Sequence, residues 1–207
     1  MRYDLHIHSK FSSCSDLLPS VILKQAKAVK LDGIAVTDHN SIKGSLEVAR
    51  LNRSKDFVVI KGAEIRTANA EVLAYYINEE IKSRDIYEVI DEIHRQGGLA
   101  VIAHPMALPR QSLTIPLKDL KKKIDGIEIL NARSLPFENY RAKRLAKELG
   151  IPGTAGSDAH FSFEIGQAVS IYDGDLRRSL KSGRIAVSGS SILAPFGSFM
   201  SMIRKRF

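Results

Sequence analysis

The chain is predicted to fold as an α/β domain on a mostly parallel sheet, open or closed into a barrel. Three observations carry that expectation. Strand-like apolar runs alternate with helix-like segments from end to end. The helix-like segments carry apolar stripes at helical spacing. Five of the six histidines stand at the ends of the strand-like runs, each beside an acid, another histidine or a proline.

The first strand spans Tyr3–His8, and its alternation places Asp4, His6 and His8 on one face and Tyr3, Leu5 and Ile7 on the other. Pro19 opens a helix whose stripe is Ile22, Ala26 and Val29. Strands follow at Gly33–Asp38, Phe57–Ile65 and Glu71–Ile77. Ile86, Ile90 and Ile93 stripe the next helix, which Gly97-Gly98 stops. Strands at Leu99–Ala103 and Gly126–Leu130 precede a helix carrying Ala142, Leu145, Ala146 and Leu149, closed by Gly150 and Pro152. Gly153–Gly156 and Ala168–Tyr172 are the last two strands. With no internal repeat and no low-complexity linker, residues 1–190 read as one domain. Residues 191–207, apolar with a basic end at Arg204-Lys205-Arg206, read as a segment docked on that domain or partly mobile.

A chain of 207 residues can bury a full core. Its 44% hydrophobic and 26% charged content is ordinary for a globular protein. No run approaches the ~18 apolar residues of a membrane span, and the start lacks a signal-peptide pattern, so a cytoplasmic location is expected. The single cysteine, Cys14, rules out an intramolecular disulfide. A net charge of +8 (31 basic against 23 acidic residues) suits an anionic partner, a phosphorylated metabolite or a nucleic acid, or serves surface solubility. No RNA-reading aromatic motif accompanies the basic residues.

Histidines and acids at the carboxyl ends of parallel strands point to one crevice ringed with ligands for zinc, manganese or iron. His6 and His8 are placed to grip one ion or two adjacent ions, with Asp4 orienting a ligand from behind. Asp38 is either a ligand or an orienting acceptor for its neighbour His39. Glu64 ends an apolar run and has two oxygens with which to bridge ions. His104 precedes Pro105, which forces an extended turn. Asp158 and His160 follow a Gly/Ser/Ala stretch that permits close backbone approach. His94, inside a helical stripe, reads as an ordinary helix residue. Asn131 and Arg133 follow another strand, and Arg133 suits bidentate phosphate binding, as does Arg66.

The set Asp4-Leu-His6-Ile-His8-Ser9, Thr37-Asp38-His39-Asn40, Glu64, Ala103-His104-Pro105 and Gly156-Ser157-Asp158-Ala-His160 resembles the PHP (polymerase and histidinol phosphatase) domain over residues 1 to 190. The resemblance implies a distorted (β/α)7 TIM-like barrel with two or three divalent ions and phosphoesterase chemistry. It implies that His6, His8, Glu64 and Asp158 hold the first ion, His39 and His160 the second, and Glu64 and His104 a third. Two positions depart from the family pattern. Where an aspartate or histidine often completes the second site, this chain offers Cys14 or Asp16; a thiolate favours zinc, whereas a carboxylate leaves manganese or iron equally open. Glu71 stands where many relatives have a histidine, and is either an oxygen ligand or an exposed strand residue.

The expected activity is hydrolysis of phosphomonoesters or nucleotides by a metal-bound hydroxide, with Arg133 offsetting phosphoryl charge and His104 or His160 assisting the leaving oxygen. Specificity is expected from the loops at the barrel end, such as Pro105 to Arg110. An exonuclease or phosphodiesterase acting on nucleic-acid ends is the first alternative. A non-catalytic RNA-binding subunit is the second, and a nearly complete ligand ring argues against it.

Overall fold

The computed structural model describes residues 1–107 and 113–191. Its elements are β1 (Arg2–Ile7), α1 (Pro19–Ala28), β2 (Gly33–Val36), α2 (Lys43–Leu51), β3 (Val58–Arg66), β4 (Glu71–Tyr75), α3 (Ile86–Arg95), β5 (Leu99–Ile102), α4 (Leu117–Leu120), β6 (Gly126–Asn131), α5 (Pro136–Leu149), β7 (Gly153–Gly156), a short helical turn (Ser162–Glu164), β8 (Ala168–Ile171), α6 (Leu176–Ser182) and β9 (Ala186–Gly189). The expected strands are present to within a few residues at their ends, and β9 is additional. The postulated C-terminal segment and most of the loop after Ala107 lie outside the described residues. Among the described residues, no helix is long and apolar enough to cross a membrane.

The strands form one sheet in the order β7-β6-β5-β4-β3-β2-β1-β8-β9. The fold is α/β and its sheet barrel-like, as expected, but among the described residues nine strands pair in a mixed pattern instead of a sevenfold parallel repeat. The pairs β1–β2, β2–β3, β5–β6 and β6–β7 are parallel, whereas β3–β4, β4–β5, β1–β8 and β8–β9 are antiparallel. The cause of the central reversal is local. Thr67 N–H donates to Ala70 O across 2.9 Å, closing a tight turn between β3 and β4 with no room for a crossover helix. The sheet curls until its ends nearly meet. His8 N–H donates to Ala159 O (2.9 Å), and Ala155 N–H donates to Ser170 Oγ (2.8 Å).

Direction places the site. β1, β2, β3, β5, β6 and β7 share one direction, so their carboxyl ends gather at one mouth. The reversed β4 brings its amino end, Glu71, to that same mouth.

Beneath it, Leu5, Ala35, Ile60, Leu73, Tyr75, Val101 and Ala103 pack with Leu176 and Leu180 of α6 into an apolar floor. Ile60, Gly62 and Glu64 alternate with Ala63 and Ile65, which face α3 instead. Strand β1 departs from the strict alternation expected of it. Its register shifts between Asp4 and Ile7, so Tyr3 and Leu5 join the floor while Ile7 packs outward against Ile22 and Ala26 of α1.

The outer helices have ordinary causes. Asp85 caps α3 by accepting from Tyr87 N–H (2.9 Å) and Glu88 N–H (3.1 Å). Glu138 reaches back to Leu135 N–H (2.8 Å) at the start of α5, and Gly150 ends that helix at φ 62°.

Candidate metal centre

The strand ends deliver their imidazoles and carboxylates to one buried cage. His6 and His8 meet Nε2 to Nε2 at 3.2 Å. Asp158 Oδ1 lies 3.2 Å from His8 Nε2 and 3.7 Å from His6 Nε2. Glu64 sits at the middle: Oε1 is 3.4 Å from His6 Nε2 and 3.2 Å from His104 Nε2, and Oε2 is 2.9 Å from His39 Nδ1 and 3.4 Å from His8 Nε2. Glu71 joins from β4, 3.5 Å from His104 Nε2 and 3.7 Å from His39 Nδ1. The His160 ring lies 4.5 Å from that of His8, centroid to centroid.

The backbone is shaped for this convergence. Gly156 must lack a side chain, because a Cβ there would fall 2.7 Å from His6 N and closer still to His6 Cβ. Asp158 takes a left-handed φ of 55°, a conformation that costs an L-residue energy and is held by its surroundings. Asp38 acts behind the cage as an orienting acceptor: Ser9 N–H and Ser9 Oγ each donate to it across 2.6 Å. A Cβ on Gly44 would collide with the same carboxylate.

Hydrogen bonds set the rings for coordination. His6 Nδ1 faces Glu128 Oε1 at 3.1 Å, an acceptor, so Nδ1 carries the proton and Nε2 presents a lone pair. His160 Nδ1 donates to Asp158 O at 2.8 Å, with the same result. His39 Nδ1 and Glu64 Oε2 are buried atoms that make no hydrogen bond although they approach to 2.9 Å. A buried imidazole nitrogen and a carboxylate oxygen this close, neither in a well-formed hydrogen bond, can share a cation in place of a proton. Four overlapping donor sets have ligand atoms within 4.8 Å of one another: His6/His8/Asp158, His6/Glu64/His104, His8/His39/Glu64 and His8/Cys14/His160. Mixed imidazole and carboxylate donors fit zinc, manganese or iron.

Without a cation, the buried carboxylates divide the rings into two that stay neutral and two that hold a proton in its place. Burial lowers His8, and burial with the neighbouring His8 holds His160 well below its ordinary value; both rings are neutral and ready to ligate. Burial also pulls on His6, but Glu64, Glu128 and Asp158 outweigh it and hold the ring well above the ordinary value. Glu64 is held well below the carboxylate range, since His6, His39 and His104 overcome its burial. His39 is pulled both ways. Glu64 and Cys14 overcome burial and raise it to about 10, while Arg66 Nη2, 2.7 Å from Nε2, needs a lone pair there. Burial raises Asp4 to about 6 against hydrogen bonds from the Ser157 and Gly166 amides.

The remaining predicted residues divide. Asp16 is exposed and belongs to none of the four donor sets found among the described residues, whereas Cys14 is buried and belongs to one of them. Arg133 is buried, with Nη1 3.5 Å from Glu164 Oε2. Asn131 is fully buried; its amide donates to Glu128 (2.9 Å) and Asp158 (3.3 Å), and its oxygen accepts from Arg133 N–H. Arg66 is half-exposed at the rim, 2.9 Å from Glu71. His94 stays outside, paired with Asp125 at 2.9 Å.

Sequence reasoning missed Glu128. It accepts from the His6 ring, from the His104 backbone N–H (3.0 Å) and from Asn131, so it fixes the His6 ring and the strand end that carries His104. The available signal was a carboxylate in the middle of the apolar run Gly126-Ile-Glu-Ile-Leu130, a charge that cannot be buried without partners. Glu164 was also missed; it accepts from His160 N–H (2.7 Å) and Phe161 N–H (3.0 Å).

Comparison with known proteins gives a consistent answer. The PHP domain model matches residues 4–135, and the PHP-associated model matches residues 136–185. An uncharacterized protein of Methanocaldococcus jannaschii is 35% identical over 162 residues, 72% of this chain and 94% of that protein. Among solved structures, PsfC from Pseudomonas syringae has a TM-score of 0.74 at 20% identity, covering 99% of this chain and 97% of its own. A two-domain Bacteroides vulgatus protein containing a predicted PHP-like metal-dependent phosphoesterase has a TM-score of 0.77 at 19% identity, covering 92% of this chain and 65% of that one. At these identities the two structures speak for the fold alone.

Proposed function

Because the chain belongs to the PHP domain family, we propose that it is a metal-dependent phosphoesterase that releases phosphate from phosphomonoesters, nucleotides foremost. The observation that carries this reading is the convergence of His6, His8, His39, Glu64, His104, Asp158 and His160 on one buried cage at the strand ends. In this reading His6, His8, Glu64 and Asp158 hold one divalent ion. His39, His160 and Cys14 hold a second, and Glu64, Glu71 and His104 a third. Bound ions supply Lewis acidity toward a phosphoryl oxygen and lower the pKa of a water to about 7.

The chain's own groups do the rest. Arg133, next to His160, offsets charge on the phosphoryl oxygens, with Glu164 holding it in place. Arg66 meets the phosphate from the rim. Asn131 positions rather than binds, since Glu128, Asp158 and the Arg133 amide occupy its side chain. His104 assists the leaving oxygen when its ring is not engaged by an ion, whereas His160, held neutral, would first have to take up a proton at Nε2.

Nucleotides are favoured by the mouth. Phe161 and Phe163 stack with centroids 5.6 Å apart on the segment that carries His160, and Phe163 is exposed. Leu135, Phe137 and Tyr140, just after Arg133, are exposed too. Aromatic faces beside a phosphate-processing centre suit a nucleobase.

The test is phosphate release from p-nitrophenyl phosphate, sugar phosphates, nucleoside monophosphates and single-stranded oligonucleotides, each with manganese, zinc or iron(II). Metal-dependent turnover of a monoester, abolished by chelator and by His8→Ala, is expected. Metal-loaded protein that hydrolyses no phosphomonoester refutes the proposal, and turnover of the oligonucleotides alone replaces it with an exonuclease.

A further inference from the structure

The segment Ser9-Lys-Phe-Ser12-Ser-Cys14-Ser15 between β1 and α1 is tied to the cage at every third residue. Ser9 binds Asp38 through its amide and its hydroxyl. Ser12 Oγ accepts from His39 N–H (2.9 Å) and lies 3.2 Å from His8 Nδ1. Ser15 Oγ is within hydrogen-bond distance of both His8 O (3.0 Å) and His160 O (3.1 Å). Three hydroxyls therefore hold this loop against three ligand-bearing strand ends, and the residue they present is Cys14.

The thiol is buried, yet it belongs to none of the hydrophobic clusters, although Leu17 three residues later does. A cysteine serving as a small apolar filler would pack among such neighbours. This one lies with the nitrogen donors of His8 and His160, all within 4.8 Å of one another. The other three donor sets each contain Asp158 or Glu64; here the thiol is the only group able to supply negative charge. Two imidazoles and a thiolate leave a fourth tetrahedral position open, the pattern of a zinc site that also admits substrate or water.

Resting on the metal-dependent reading above, we propose that Cys14 is a thiolate ligand that makes the position it shares with His160 selective for a thiophilic ion, zinc above all. The oxygen-rich position of Glu64, Glu71 and His104 takes a harder ion such as manganese. The centre is thus of mixed metal, and the discrimination is built by donor softness.

Cobalt(II) substitution tests this without reference to turnover. A cobalt–thiolate bond gives a near-ultraviolet charge-transfer absorption that nitrogen and oxygen donors do not. Cys14 is the only cysteine among 207 residues, so any such band reports on it alone. The wild-type protein is expected to show the band. Cys14→Ser is expected to lose it while keeping the visible cobalt spectrum of the other positions. In Cys14→Asp, zinc retention against a chelator is expected to fall by roughly 10–100-fold, the loss typical even for groups that only support a ligand, while manganese retention holds. Should either variant fail to fold, the wild-type spectrum decides alone. Cobalt bound without a thiolate band overturns the inference and leaves the phosphoesterase reading intact; a chain that binds no cobalt overturns both. A band with no turnover of any phosphate ester sustains the inference and removes the function.

Discussion

Replacing Glu128 with glutamine probes the cage through a residue that belongs to none of the four donor sets. The Glu128 carboxylate accepts from three donors: His6 Nδ1 at 3.1 Å, His104 N–H at 3.0 Å and Asn131 Nδ2 at 2.9 Å. A glutamine has the same shape but only one accepting end. With its oxygen toward His104 and Asn131, its NH2 meets the His6 Nδ1 proton, and His6 must move that proton to Nε2, where it blocks coordination. With its oxygen toward His6, its NH2 faces two donors, each of which loses a charge-assisted bond of about 1.5–3 kcal/mol. The first orientation therefore costs less in folding and more in metal binding. Metal affinity is expected to fall by roughly 10–100-fold, about 1.4–2.7 kcal/mol. Chelator-competition titration of wild-type and Glu128→Gln protein measures the loss, and urea unfolding of the metal-free forms measures the folding cost. Unchanged affinity together with an unchanged unfolding midpoint would refute the claim that Glu128 sets the His6 proton.

His8→Ala and Asp158→Ala are expected to abolish phosphate release while leaving the far-ultraviolet circular dichroism unchanged; activity surviving either substitution moves the site elsewhere. Gly156→Ala drives a methyl into the His6 backbone, where overpacking costs roughly 1–3 kcal/mol, so the urea midpoint should fall and metal affinity with it. Phe163→Ala should raise KM for nucleoside monophosphates severalfold without altering p-nitrophenyl phosphate turnover; equal effects on both would remove the base-stacking role. Among the cage groups that set the pH dependence of the metal-free protein, His6 and Glu64 act in opposite senses. His6, raised above 6.5, stabilises the fold fully below that pH and loses its contribution as pH climbs through its folded value. Glu64, lowered below 4.5, stabilises above that pH and loses its contribution as pH falls through its folded value. Without metal, melting temperature should decline above the window of about 4.5 to about 6.5, as the raised His6 and His39 shed their protons, whereas added metal should stabilise more as pH rises past that window. A chelated protein whose stability keeps rising above this window contradicts the His6 assignment.

Much of this was legible before the fold was seen, because the candidate ligands are punctuated by secondary structure. His6, His39, Glu64, His104 and His160 each follow an apolar run, so chain position already stated which end of the sheet they share. Direction was not legible. The reversal of β4 depends on the short Thr67–Ala70 turn, and apolar alternation reads the same in either direction, so Glu71 came without its place at the mouth. The shift within β1 likewise leaves no mark in composition, which is why Tyr3 and Ile7 were assigned to one face. Strand β9 escaped notice because its residues are mostly exposed and carry no apolar pattern. That Cys14 turns inward while Asp16 stays exposed depends on the serine contacts that fold the loop, and these pair residues distant in the chain.

Anomalous diffraction from crystals grown with zinc and manganese tests the central claim most directly. The account expects two or three ions inside the cage, within bonding distance of His6, His8, Glu64 and Asp158, with zinc beside Cys14. Well-ordered crystals showing no anomalous peak among these side chains would contradict it.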